Sequence, residues 1–171
     1  MPTMAYVTVE GATQGLITAG ANTMDSIGNK FQQDHTDESS VLAFNHEIVV
    51  PRDVQSGQPT GQRMHQPAIM RKRYDKASAL LYNALCSGER LTTITLKWYR
   101  TSMAGTMEHY FTHVFHDALL VNMKAEMVHT ADPNLSHFDH EEILEFTYRQ
   151  IDWTHEIAGT SGSDDWRAPL V

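Results

Sequence analysis

Cysteine is almost missing from this chain. A single residue, Cys86, in 171 excludes an internal disulfide framework and suits folding in a reducing compartment. Near the end of an amphipathic segment, Cys86 reads as a small buried hydrophobe. Long apolar runs are missing too. No stretch approaches the ~18 residues of a spanning helix, and Met1-Pro2-Thr3-Met4-Ala5-Tyr6 lacks the basic-then-apolar order of a secretion leader. The expectation is a chain made soluble in the cytoplasm, without membrane insertion, that can leave the cell only by a route needing no signal peptide. Positive charge is in deficit: 13 Lys plus Arg against 21 Asp plus Glu give a formal net charge of -8, which argues against a nucleic-acid binder or an anionic-membrane binder. The basic runs Arg71-Lys72-Arg73 and Lys97 to Arg100 therefore read as a solvated sheet face or a charged subunit contact.

What is present fits one domain over residues 1–171, large enough to bury roughly 70% of the surface its unfolded form exposes. Alternation dominates. Ala5, Val7 and Val9 predict a first strand ending at Gly11 and resuming at Leu16-Ile17. Gly20 to Ser40 reads as a long loop. Val41 to Val50 places Leu42, Phe44, His46, Ile48 and Val50 on one face and Val41, Ala43, Asn45 and Glu47 on the other, and Pro51 ends it. Pro51 to Gly61 reads as a long polar loop with nothing to bury, of the kind that is functional or disordered. A strand-like stretch sets Ala68, Met70 and Tyr74 opposite Ile69, Arg71 and Arg73. One helix is clear, Asp75 to Cys86, with Asp75 as cap, an apolar stripe of Ala77, Leu80, Leu81, Ala84 and Leu85, and Gly88 as a left-handed exit.

Three further strands follow: Thr92 to Arg100, Met107 to His116, and Leu119 to Met127, with Gly105 and Asp117 marking hairpins. In the last strand Leu144, Phe146 and Tyr148 share one parity while Ile151 and Trp153 take the other, so the strand carries a bulge or turns a corner between packed faces. Six or more short strands with a single helix predict a mainly β fold, a barrel or sandwich with the helix outside.

Sites for chemistry are hard to find. His109 and His113 would stand ~13 Å apart along a strand, too far for one ion. His137-x-x-His140 with Asp132 or Asp139 is the remaining metal arrangement, and no cysteine pair supports it. Ser161, His155 and Asp164 name a triad only on paper. There is no nucleophile elbow, no Gly-rich loop before a helix and no paired-carboxylate signature, so no cofactor or catalytic residue is assigned. The Gly159 to Asp165 run has the composition of an anion-binding nest, but Asp164 and Asp165 would repel the anion, which favours a polar tail or a partner-docking loop. Trp166, directly after it, calls for something to bury against.

Several stretches taken in order resemble one family. They are Gly28-Asn29-Lys30, Pro51-Arg52-Asp53, Gln55 through Arg63, Asp75-Lys76, Ser87 through Leu91, Lys97-Trp98-Tyr99-Arg100, Glu108 through Phe111, Phe146 through Arg149, and Gly159 to Arg167. Together they are similar to the Hcp family, the tube subunit of bacterial type VI secretion systems. Val54, Gln66, Ala77, Ala79, Thr112 to His116 and Ala125 to His129 depart from that pattern. The resemblance implies a β-barrel of two sheets with one flanking α-helix, hexameric rings stacked into a hollow tube, and no catalysis. Its implied partners are further copies of itself, a contractile sheath, a spike protein at the tip, and effectors carried in the lumen. Gln55, Ser56, Gly57, Gln58, Pro59, Thr60, Gly61 and Arg63, with Gly159, Thr160, Ser161, Asp164, Asp165 and Trp166, are the expected ring or tube assembly residues. Asn45 is the expected lumen contact for cargo. With no appended toxin domain before Val171, any killing activity is expected to belong to a partner. A small hydrolase or metal-dependent enzyme on a barrel scaffold is the alternative, and a monomeric carbohydrate-binding module a third reading.

Overall fold

A computed structural model describes residues 3–168. Met1 and Pro2, which begin the leader reading, and Val171 lie outside them. The strands are β1 (Ala5–Gly11), β2 (Gly15–Leu16), β3 (Ser39–Asn45), β4 (Ile48–Val49), β5 (Met64–His65), β6 (Ala68–Arg73), β7 (Leu91–Thr101), β8 (Met107–Glu126), β9 (Glu141–Thr147), β10 (Gln150–His155) and β11 (Thr160–Asp165). The helices are α1 (Met24–Ile27), one turn inside the Gly20 to Ser40 connection, and α2 (Ser78–Ser87).

Nine strands make one antiparallel sheet in the order β11-β10-β8-β7-β1-β3-β6-β9, with β2 beside β1. Its path returns on itself, because β8 pairs β7 and β10 through its first half and β9 through its second. The two-sheet expectation holds as a nine-stranded sheet that curls round and a separate two-stranded ribbon of β4 and β5. The core lies inside the curl. Val7, Val9, Ile94, Leu96, Met70, Leu144 and Phe146 reach it by simple alternation, and Phe115 packs edge-on to Phe146 at 4.9 Å between ring centres. From α2 and its cap, Ala77, Leu81 and Ala84 close over this core, and Leu80 stays at the exposed edge of the stripe. Asp75 lies before the helix proper, with Ala77 in the capping position; the Asp75 carboxylate accepts from the Ala77 amide at 2.9 Å. Gly88 ends the helix at φ 69°.

Several sequence expectations are corrected. In β3 a register shift between Val41 and Ala43 breaks the alternation, so Val41 and Phe44 pack inward while Leu42 and Val50 are exposed. Asp117 is no hairpin: it sits at φ 52° inside the single 20-residue β8 and reverses the side-chain parity. Phe115, Ala118 and Leu120 therefore point inward, and Leu119 and Val121 outward. Lys72 is not solvated but fully buried. Cys86 is exposed rather than buried, because it falls on the outer side of α2. The parity change after Tyr148 is a corner, where the chain leaves β9, bonded to β6 and the end of β8, and enters β10, bonded to the beginning of β8.

Candidate assembly site

The stretch after β3 is a built arm and not an open loop. Ile48 faces His65 and Val49 faces Met64 across the β4–β5 ribbon, and further out Thr60 donates to the Pro51 carbonyl at 2.8 Å and Asp53 to the Gln58 carbonyl at 2.8 Å. The tip turns on Gly57, at φ 73°. There the Asp53 carboxylate accepts from the amides of Gln55 at 2.9 Å and Ser56 at 2.7 Å and from the Ser56 hydroxyl at 3.1 Å. Those bonds, the Ser56 amide first, hold the Asp53 carboxyl below its ordinary range. Residues Gln55, Ser56, Gly57, Gln58, Pro59, Thr60 and Gly61 are all exposed along this arm. Its backbone is ordered by its own hydrogen bonds, so docking it would sacrifice little conformational entropy.

At the root of the arm the other expected residues converge. Arg63 Nε donates to Asp164 Oδ2 at 2.6 Å, and Arg63 Nη2 to the Asp165 carbonyl at 3.1 Å. The hydrogen bond between them raises the Arg63 pKa and lowers that of Asp164. His65 lies 2.7 Å from the same Asp164 oxygen through Nε2 and 2.6 Å from the Tyr148 hydroxyl through Nδ1. His46 Nε2 reaches that hydroxyl from the other side at 2.7 Å. Trp166 stacks on His65 and donates its indole N–H to the Tyr148 carbonyl. Asp165 pairs with Arg149, which also binds Asp117. The structure thus gathers Arg63, Asp164, Asp165 and Trp166 within one subunit, where they fasten the arm to the end of β11.

Gly159, Thr160 and Ser161 lie at the opposite end of β11. This segment is an edge strand paired with β10 from Gln150–Asp165 to His155–Thr160, which replaces the polar tail or nest of the sequence reading. Sequence reasoning missed His46, His65 and Tyr148. Their partners are 83 to 102 residues away along the chain, and no spacing links them.

Asn45 is exposed at the end of β3, opposite Ile69, and borders a groove of about 230 Å³ with His46, Glu47, Gln66 and Glu145. Beyond it, Ile69, Leu119 and Val121 are exposed apolar residues on the outside of the sheet formed by β6, β9 and the end of β8. The triad residues do not meet: Asp164 pairs with Ile151, and His155 with Thr160, at opposite ends of the β10–β11 ladder. Asp139 is engaged by Lys30 and Arg73. Among the described residues, no three His, Cys, Asp or Glu side chains converge as a metal site, and no helix is long and apolar enough to cross a membrane.

Comparison with known proteins sets this geometry in context. The family described as "Type VI secretion system effector, Hcp" matches residues 6–155. The "Major exported protein" of Pseudomonas aeruginosa is 58% identical over 171 residues, covering 100% of this chain and 99% of the relative. A crystal structure of an Hcp protein superposes with a TM-score of 0.94 at 42% identity, over 98% of this chain and 100% of the other. The secreted protein Hcp3 from Pseudomonas aeruginosa superposes at 0.83 with 50% identity and the same coverage.

Proposed function

The chain belongs to the Hcp family of type VI secretion proteins, and from that membership we propose that it is a structural tube subunit: hexameric rings stack into a hollow tube that is ejected with effectors in its lumen. The family is a secretion component rather than a catalytic one, and the chain acts by assembling. Export of the 58% identical relative, as its name states, supports the secreted destination. The contractile sheath, the spike at the tip and the effectors are its other partners in this reading.

The observation that carries the reading is the arm. A pre-ordered hairpin, exposed from Gln55 to Gly61 and braced at its root by Arg63, His65 and Trp166, offers its polar tip to a neighbouring subunit. A subunit that repeats along an axis needs one interface within the ring and another between rings, and a projecting element meets that need. Asn45, at the mouth of its groove, is the cargo contact of this reading.

Negative-stain electron microscopy and sedimentation of the purified chain test it. Hexameric rings are expected, and removal of Gln55 to Gly61 should leave the subunit folded but weaken ring formation or stacking at least tenfold in apparent dissociation constant. A strictly monomeric particle at high concentration would overturn the tube reading, and unchanged assembly in the deletion would overturn the role of the arm.

A further inference from the structure

Five side chains form an unbroken hydrogen-bonded chain across the root of the arm: His46, Tyr148, His65, Asp164 and Arg63, every link 2.6 or 2.7 Å long. Its direction follows from Asp164. Held ionised by Arg63, this carboxylate can only accept, so His65 donates to it from Nε2. Neutral His65 then presents Nδ1 as an acceptor and takes the Tyr148 O–H. The Tyr148 oxygen in turn accepts from His46 Nε2–H. Every donor has an acceptor: the bonds run from His46 through Tyr148 and His65 to Asp164, where the Arg63 bond meets them from the other side.

Protons disturb this order in two steps. A proton on His65 turns Nδ1 into a donor. Tyr148 must then donate to His46, whose own proton moves to Nδ1, and the chain survives in reverse with the imidazolium beside Asp164. The second proton, on His46, aims two N–H groups at one hydroxyl and leaves the hydroxyl proton without an acceptor in the chain. It also places cations on both sides of Tyr148, with the His65 side chain only 2% exposed. The surroundings oppose it further. His46 faces His65, Tyr148 and, through the electrostatic field, His113, and its burial already lowers its proton affinity. Glu47 and Glu145 border the groove beside it. Asp164 is shared with Arg63, and Asp165 is taken by Arg149. Tyr148 stays a neutral hydroxyl, since burial raises its pKa.

We propose that this chain is a proton-operated latch: doubly protonated, it lets go at Tyr148 and loosens the root of the arm from the corner after β9, while the Arg63 and His65 bonds to Asp164 persist, so that acid takes the assembly apart before it unfolds the subunit. The proposal rests on the arm reading above. It makes His46, His65 and Tyr148 positioning residues for assembly.

The test follows sedimentation and amide exchange of the full chain as pH falls from neutral. Assembly is expected to fail in acid below the ordinary imidazole value of 6.5, because burial and then the charge on His65 hold back the proton on His46. Exchange at the Gln66 and Trp166 amides should rise at the same pH while Leu96, inside the main sheet, stays protected. His46→Gln keeps an N–H for Tyr148 but cannot take the second proton, and should hold the assembly to a pH lower by about one unit. Tyr148→Phe cuts the chain, and should show at neutral pH the exchange at Gln66 that the natural protein shows only in acid. The same pH midpoint in His46→Gln and the natural chain overturns the latch, as does simultaneous loss of protection at Gln66 and Leu96, or natural protection of Gln66 in Tyr148→Phe. Deleting Gln55 to Gly61 decides the arm reading separately, and the exchange comparison decides the latch whichever way that deletion falls.

Discussion

Lys72 shows how far a single residue can depart from its composition. It stands in a basic run, yet it has the parity of Ala68 and Met70 and follows them into the core, where its Nζ lies 2.5 Å from Glu142 and 3.0 Å from Asp75. Glu142 is equally buried and accepts from the Ser78 hydroxyl at 2.8 Å. A lone buried charge would be prohibitive, and the paired arrangement offsets most of the desolvation cost. Lys72→Met should therefore destabilise the subunit by about 3–5 kcal/mol, because Glu142 is left unpaired, whereas Lys72→Met combined with Glu142→Leu should recover most of that loss. Urea denaturation of the two variants measures both. A cost for the single change below about 1 kcal/mol would mean that water solvates the cluster after all.

At the scale of elements, the strands legible in the sequence were those with unbroken alternation, such as β1 and β7, together with the α2 exit at Gly88 and the corner after Tyr148. Their signals are local. The errors arose where backbone geometry, invisible to periodicity, reset the pattern. Asp117 carried a turn residue's signature, but its left-handed conformation is spent on kinking β8, which lets one strand bond β7 and β10 before the kink and β9 after it. Asp tolerates that conformation better than most residues, and its carboxylate is held by Arg149 at 2.8 Å and by Arg90. Asp117→Asn should keep the backbone and lose only the ion pairs. Asp117→Val should add a strain of roughly 1–3 kcal/mol, visible as a lower thermal midpoint than in the Asn variant. Equal midpoints would show that the kink imposes no such constraint. The arm and β11 escaped recognition for a related reason. The outer arm from Arg52 to Gly61 and most of β11 are exposed, so neither has an apolar face to reveal its pairing, and their hairpin character lies in backbone bonds.

For the molecule as a whole, acid is the condition that separates assembly from folding. The curled sheet keeps a half-buried imidazole, His113, whose pKa desolvation pushes down to about 4, with His46 adding to the effect. Its Nδ1 accepts the indole N–H of Trp98 at 2.8 Å, so a proton there would set donor against donor. The sign of the linkage is fixed. Unfolded, this histidine takes its proton near pH 6.5, so the stability that comes from keeping it neutral is complete above that pH and is lost progressively as pH falls toward about 4. The carboxylates that ion pairs hold low, Asp117, Asp139 and Asp164, lose their contribution only at still lower pH, below their ordinary value of 3.8. His113→Gln retains an acceptor for Trp98 and cannot titrate, so its stability should be flatter between neutrality and pH 4 by an amount on the order of 3 kcal/mol. Urea denaturation of both proteins across that range gives the difference directly, and parallel curves would place the acid-sensitive group elsewhere. Because this loss is spread over more than two pH units while the latch at Tyr148 gives way as a unit when its second proton arrives, a window should exist in mild acid where subunits remain folded but their arms no longer hold a tube together.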